Sequence, residues 1–398
     1  MSRFTTAANL VAQDPVIAQA RKYRDELGKR ADEIEQLRKL PQDIADRFAN
    51  DGFYTICNPV EYGGAGASPL VYAGLVEELA RGDASAAWCA FIAITSAFSA
   101  ANGDTPAIKS ILNTPGTILS GVFAPNGRAR KETVDGVEGY RISGRWAWGS
   151  GSQNAHWISG GCFILDDNDK LVMKDDGRPQ HLSAFFAASD VNFIDTWTVT
   201  GLQGTGSTDY EVKDVFVPKD RAFLRFGSRS LDYPIFKFPQ FGMLAIGIGA
   251  VALGAAREAI EDFQAFAGIK VPQGNRRTLA EKAGTQRDIS MAEATLRQGR
   301  AFFYEALGEA WESAIDGEVS IENRRDVRLA TTAAVQSAKT AVDLIYELAG
   351  GTSVYRNSPI QRRFRDIHVA TQHMMVSKAT YELTGRLFLG LPTDIEQL

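Results

Sequence analysis

The residues best suited to chemistry cluster near the C-terminus, between Gly350 and His373. A Gly350-Gly351 turn closes one helical run, and Pro359 opens another, as a first-turn proline does. The second run carries Arg362, Arg363, Arg365, Asp366, His368 and His373. Asp366 and His373 are seven apart and fall on nearly the same face of a continuous helix, whereas His368 points elsewhere. Histidine titrates where a general acid or base must, so His373 is a candidate proton handler. A solvated basic face with one satisfied core histidine is the competing reading, and spacing alone leaves both open.

Two further segments could meet a ligand. Trp146-Ala147-Trp148-Gly149-Ser150-Gly151-Ser152 sets two indoles before a small-residue turn with two hydroxyls. Flat aromatics beside glycines offer a planar ligand a surface and access to backbone N–H groups; a β-bulge with locally satisfied hydroxyls would look the same. Gly201-Leu202-Gln203-Gly204-Thr205-Gly206-Ser207-Thr208 is a glycine and hydroxyl loop of the kind that can hold phosphate. It lacks Gly-Lys-Ser/Thr and opens no helix, so it is not a Walker loop. No Gly-x-Gly-x-x-Gly follows a strand, which disfavours a nicotinamide Rossmann domain. The glycines of Gly149-Ser150-Gly151 adjoin the serine, so the segment is not a hydrolase nucleophile elbow.

Composition narrows the classes. Across 398 residues, 44% apolar and 23% charged content describes an ordinary globular chain of one to three domains. A net charge of -5 without a Lys/Arg block gives no reason to expect nucleic acid. Cys57, Cys89 and Cys162 stand alone, without metal-ligand spacing, and no metal is expected. They fit a reduced, cytoplasmic setting. The longest apolar stretch, Met243 to Ala256, is glycine-rich and too short to span a bilayer.

These segments must be held by three kinds of structure. Residues 1–115 read as helices, among them Val16 to Gln36, Pro41 to Asn50, Pro69 to Arg81 and Ala84 to Ala101. From 116 to 228 short alternating runs broken by Gly, Asp and Asn predict an antiparallel β domain, a small barrel or sandwich. From 229 to 398 the period becomes 3.6, in Gly242–Phe266, Thr278–Ile315, Ile321–Leu348 and Pro359–Leu389, which implies a four-helix bundle. The class is α+β, mostly α. Phe91, Ser96, Phe98, Phe236, Phe238 and Phe241 could line an apolar, aromatic pocket or simply pack.

Helices, then β, then a helical bundle is the order of the acyl-CoA dehydrogenase fold. Pro59-Val60-Glu61-Tyr62-Gly63-Gly64, Trp148-Gly149-Ser150 and Arg365-Asp366 resemble that superfamily's motifs. Ser143 to Gly151, Gly201 to Ser207 and Phe364-Arg365-Asp366-Ile367-His368 with His373 resemble one branch of it. That branch is the group D flavin-dependent monooxygenases, the oxygenase components of two-component systems such as the 4-hydroxyphenylacetate 3-hydroxylase oxygenase. Many dehydrogenases of the superfamily place a catalytic Glu eight residues after the Asp of the Arg-Asp pair; here that residue is Met374, which cannot abstract a proton.

The resemblance implies an oxygenase that takes reduced FMN or FAD from a separate reductase, uses O2 as co-substrate, and hydroxylates a small aromatic or heteroaromatic substrate through a flavin 4a-hydroperoxide. It implies that Ser150 bonds the flavin N5 and that His373 acts as acid/base. Phe123, Pro125 and Trp148 would border the isoalloxazine. Thr205 and Ser207 would meet its ribityl or phosphate part. Arg276, Arg277, Gly350 and Gly351 would reach a neighbouring subunit's cofactor in a homotetramer, an assembly also suggested by the wide apolar faces of Met243–Ala256 and Ala333–Leu348. An acyl-CoA dehydrogenase-like FAD desaturase is the alternative, and a scaffold that kept the fold without flavin is a third.

Overall fold

The structure is a computed structural model and describes residues 11–224 and 231–398. The expected domain boundary at 228–229 falls outside the described residues. Among the described residues seven helices precede the sheet: α1 Pro15–Arg21, α2 Arg24–Lys29, α3 Ala31–Leu37, α4 Gln42–Asn50, α5 Pro69–Gly82, α6 Ala84–Ala101 and α7 Pro106–Leu112. The single run expected over Val16 to Gln36 is three short helices, because Lys22–Tyr23 and Arg30 turn the chain between them. Side-chain caps start α5 and α6, the two longest helices before the sheet. Ser68 accepts from Val71 N at 3.3 Å, and Asp83 from Ala86 N at 2.8 Å.

The strands are β1 Leu119–Val134, β2 Val137–Trp146, β3 Trp157–Leu165, β4 His181–Ala187, β5 Asn192–Ile194, β6 Asp209–Pro218 and β7 Ala222–Leu224. They form one seven-stranded sheet in the order β5-β6-β2-β1-β3-β4-β7. The antiparallel expectation fails at one pair: β1 and β3 run parallel. Their register slips between Val122 and Gly127, so Phe123–Asn126 bulge out of the ladder opposite Gly161. A Cβ at Gly161 would collide with the carbonyls of Phe123 and Ala124, so the bulge needs glycine there.

After the sheet come α8 Pro234–Lys237, α9 Gln240–Ala267, α10 Ala283–Asp316, α11 Ile321–Ala349, α12 Pro359–Ala370 and α13 Ala379–Phe388. Helix α9 is the spine. Gly247 and Gly254 leave no room for a Cβ against Tyr72, Phe91 and the Glu77 carbonyl of α5 and α6, while Gly249 faces Phe303 and Thr331 of α10 and α11. The apolar face of Met243–Ala256 is thus covered within the chain, and that segment needs no second subunit to bury it. By length and composition, α6 and α9 could cross a membrane, but 94% and 89% of their apolar windows are buried in the fold. Helix α10 begins at Ala283 instead of Thr278, because Leu279 N and Ala280 N bond back to the Lys270 and Ala267 carbonyls.

The helix expected over Pro359–Leu389 is broken. It stops at Ala370, makes one short turn at Met374–Val376 and resumes at Ala379. Side chains take over the backbone groups freed by the break. Thr371 Oγ1 donates to His368 O at 2.7 Å, His373 Nδ1 accepts from Met375 N at 3.2 Å, and Arg328 Nη1 donates to Met375 O at 2.7 Å. Met375 and Val376 fill the core at 1% and 0% exposure, which draws the turn inward.

Candidate active site

The two tryptophans of the 146–152 segment part company. Trp146 is fully buried in a slot where Gly127, Gly144 and Gly160 each lack the Cβ that would strike its ring, and its Nε1 donates to Gly161 O at 2.9 Å. Trp148 is 73% exposed, in the left-handed region at φ 64°. A large indole held open by a strained backbone calls for a partner. Phe123 and Pro125, both half-buried, stand on the β1 bulge. Tyr210 connects bulge and turn: its ring packs where a Cβ on Gly149 would be, and its hydroxyl accepts from Val122 N at 3.0 Å.

Behind Trp148 lies a row of buried hydroxyls. Trp88 Nε1, on α6, donates to Ser150 Oγ at 3.2 Å. Ser150 Oγ lies 2.5 Å from Ser207 Oγ, which lies 2.7 Å from Thr205 Oγ1. Thr205 Oγ1 donates to Leu202 O at 2.8 Å, and Trp197 Nε1 donates to the same carbonyl at 3.1 Å. One proton per hydroxyl fixes the sense of the row. With Thr205 bonded to Leu202 O, Ser207 donates to Thr205 and Ser150 to Ser207. Thr205 and Ser207, expected to meet a ribityl or phosphate part, are 1% and 3% exposed here and back Ser150 from inside. Positive φ at Leu202 and Gly206, 50° and 52°, curls the loop inward.

Helix α12 seats this loop. Asp366 Oδ1 accepts from Leu202 N at 2.6 Å, and Gly201 packs against the Arg365 and Asp366 backbone too closely for a Cβ. Burial pushes the Asp366 carboxyl up to about 7, helped by the buried carboxylate of Asp83. The basic cluster of α12 is not a solvated face. Arg362 pairs with Asp32 and Glu35, Arg363 with Asp262 at 2.9 Å, and Arg365 with Glu35 at 2.8 Å and the Thr200 carbonyl. The cluster clamps α12 onto α3 and α9.

The break after α12 takes His373 off the Asp366 face; no carboxylate pairs with it among the described residues. Its ring centroid lies 6.0 Å from that of Trp88, whose Nε1 bonds Ser150, so one indole separates His373 from the hydroxyl row. Desolvation, with the Arg328 charge second, lowers its pKa to about 4. At neutral pH the ring is uncharged. Because Nδ1 accepts from Met375 N, the proton sits on Nε2. His368 is different: its Nε2 lies 2.8 Å from Asp343 Oδ1, and its ring packs on Phe364.

Phe98, Phe238 and Phe241 line a cavity of about 430 Å3, together with Lys174, Arg178 and Arg324. Phe91, Ser96 and Phe236 do not line it. Phe91 packs edge-on to Trp88, Phe236 stacks on Phe98 at 5.1 Å, and Ser96 Oγ is buried without a partner. Arg276 and Arg277 are exposed in the loop between α9 and α10, and Gly350 and Gly351 end α11 in open space. Met374 is 61% exposed and supplies no base.

Arg328 and Tyr210 were not singled out from the sequence. For Arg328 a signal existed: it continues the apolar stripe Thr331, Val335, Ala338, Val342 and Ile345, where a cation has no ordinary place.

An exposed aromatic shelf, a buried hydroxyl beside it and a neutral imidazole one ring away suit a planar, redox-active heterocycle with hydrogen-bonding edges. The comparisons agree. Residues 12–104 match the acyl-CoA dehydrogenase N-terminal domain, and residues 246–378 the acyl-CoA dehydrogenase C-terminal domain. The chain is 32% identical to indole-3-acetate monooxygenase of Pseudomonas putida, over 91% of this chain and 90% of that one. It is 28% identical to the oxygenase component of an FADH2-dependent resorcinol hydroxylase from a Rhizobium species, over 91% and 90%. The crystal structure of 3-HSA hydroxylase from Rhodococcus sp. RHA1 superimposes with a TM-score of 0.85 at 25% identity, covering 98% of this chain and all of the other. The chain belongs to the acyl-CoA dehydrogenase family, in its branch of flavin-dependent monooxygenase oxygenase components.

Proposed function

We propose that this chain hydroxylates a small aromatic substrate with one atom of dioxygen, using reduced flavin delivered by a separate reductase. The observation that carries the reading is the succession Trp148, Ser150, Trp88, His373: an exposed shelf, a buried hydroxyl, an indole and a neutral imidazole. Reduced flavin, when bound, supplies the electrons that activate dioxygen. Phe123, Pro125 and Trp148 would border its ring system, and Ser150 would bond its N5 edge.

N5 of reduced flavin bears a hydrogen, which Ser150 Oγ can accept with the row as it stands; for Ser150 to offer its own proton to a ligand, the hydroxyl row must reverse. Ser207 then donates to Ser150 and Thr205 to Ser207, while Leu202 O keeps the Trp197 N–H. No buried group loses its last partner, so reversal is cheap. His373 works as a donor through Nε2. The expected general-base role needs a free lone pair, and in the neutral ring Met375 N has taken it. A preorganised donor in a water-poor site stabilises developing negative charge on oxygen, a contribution of about 10²–10³-fold.

The relatives' names, indole-3-acetate and resorcinol among them, support an aromatic substrate. The cavity walled by Phe98, Phe238 and Phe241 is suited to one. The exposed Arg276, Arg277, Gly350 and Gly351 fit a homotetramer in which they face a neighbour's cofactor. Buried, unpaired cysteines fit a cytoplasmic enzyme. The test is direct: supply reduced FAD and ¹⁸O2 with indole-3-acetate or resorcinol. We expect one ¹⁸O in the product, and no NADH consumption by the chain alone. Purification with tightly held FAD that an acyl-CoA reduces would establish the desaturase instead.

A further inference from the structure

Arg328 is 2% exposed, and no carboxylate pairs with it among the described residues. Its Nη1 holds the Met375 carbonyl, its Nε is buried without a partner, and burial lowers its pKa to about 10. A buried, unpaired guanidinium is costly and rare. The cation also opens onto a cavity of about 240 Å3, lined by Met374, Thr380 and Leu383 and closed by Asp394, Glu396 and Gln397 of the C-terminal segment. That cavity shares Asp394 and Glu396 with the larger aromatic one.

We propose that Arg328 is the anchor for a carboxylate on the substrate, so that the ligand is an aromatic acid whose anionic end lies beside the Met374–Val376 turn. Met375 joins the two functions: its carbonyl receives Arg328, and its N–H bonds His373. An acid held there would direct its ring toward the phenylalanine cavity, which shares Asp394 and Glu396 with this one. The tail carboxylates do not already serve Arg328. Glu396 pairs with Arg178 at 2.8 Å, and Asp394 accepts from Glu396 N at 2.9 Å. Lys174, Arg178 and Arg324 in the adjoining cavity offset their charge. A guanidinium is suited to carboxylate geometry because it offers parallel N–H donors, and Nε lacks a partner.

The inference rests on the oxygenase reading only in calling the ligand a substrate; binding can be measured without turnover. The probes are benzoate, phenylacetate and indole-3-acetate, each against its own carboxamide. Affinity is read by calorimetry or by tryptophan fluorescence on the full chain, with and without FAD. We expect at least one acid to bind the wild type roughly tenfold more tightly than its amide, the size of effect a charge-assisted bond gives. The preference should vanish in Arg328→Met and persist in part in Arg328→Lys, with thermal melts showing both variants folded. Equal binding of every acid and amide to the wild type would overturn the proposal, as would a preference that survives Arg328→Met. So would displacement of the acid by FAD, which would give the cation to a cofactor phosphate. Should Arg328→Met fail to fold, the wild-type and Arg328→Lys measurements still decide. Failure of ¹⁸O incorporation with the acid preference intact would instead reject the oxygenase reading alone.

Discussion

His368 and His373 stand five residues apart on either side of a helix end and live in opposite surroundings. His368 sits on α12 with a carboxylate on its Nε2, a tilted phenylalanine ring against it and a third of its side chain in water. His373 caps a short turn, has a backbone N–H on Nδ1, no acid partner among the described residues, and a buried cation nearby. The first ring has its polar need met by Asp343 and holds α12 to α11. The second is neutral by construction and has one donor left to spend. Residue type does not separate them; the break in the helix does.

The largest expected effect is at His373. His373→Ala should lower product formation at least tenfold, the cautious end of what a positioned proton-handling or donor group contributes, with melting temperature and reduced-flavin binding near wild type. His373→Gln, which can place an amide N–H where Nε2–H was, should recover part of the loss. Normal hydroxylation by the Ala variant, or a defect explained wholly by unfolding, would return His373 to the status of His368.

Next is the hydroxyl row. Ser150→Ala should release more hydrogen peroxide per reduced flavin consumed while folding nearly normally, and Ser207→Ala should do the same more weakly, since it acts through Ser150. Unchanged coupling in Ser150→Ala with flavin bound would dismiss the N5 role.

A pH test sharpens the contrast further. The folded pKa of His373, about 4, lies below the unfolded value of about 6.5. As pH falls through that window the unfolded chain takes a proton the native ring refuses, so stability is full above the window and declines toward its acid end. Asp366, raised to about 7, has the opposite slope: its contribution is present in acid and lost as pH rises through 7. Wild type should therefore lose on the order of 1 kcal/mol more than His373→Ala between pH 6.5 and 4.5, a figure reduced for the ring's partial exposure. Parallel melting curves would contradict the lowered pKa.

The smallest effect belongs to His368→Ala. A half-exposed imidazole–carboxylate contact is worth about 0–1 kcal/mol, so melting should drop by only a few degrees and turnover should hardly change. A large loss of turnover would invert the assignment of the two histidines.

The order of parts and the long apolar helices were legible because period and length survive folding: α5, α6, α9 and α11 lie close to where their patterns put them. So were Trp148 and Ser150, marked by unusual residues in a small-residue turn. What could not be read from the sequence depended on contacts distant in the chain. Trp146 becomes core because three glycines from three strands clear a slot. The α12 arginines become a clamp because α3 brings Asp32 and Glu35 to them. The helix break at 371–373 contains neither Pro nor Gly; Arg328, on another helix, helps hold it. Thr205 and Ser207, expected to meet a ribityl or phosphate part, are turned inward by two left-handed residues.

Everything proposed for His373 depends on its being a neutral imidazole with its proton on Nε2. With four histidines in the chain, long-range ¹H–¹⁵N correlation spectra, assigned by the loss of one ring's signals in His373→Ala, read each ring's tautomer and charge. We expect the His373 Nδ1 to show the shift of an unprotonated, hydrogen-bonded nitrogen and Nε2 that of an N–H, unchanged from pH 8 to pH 5.5. Protonation of His373 with a midpoint near 6.5, or a proton on Nδ1 at neutral pH, would contradict the account.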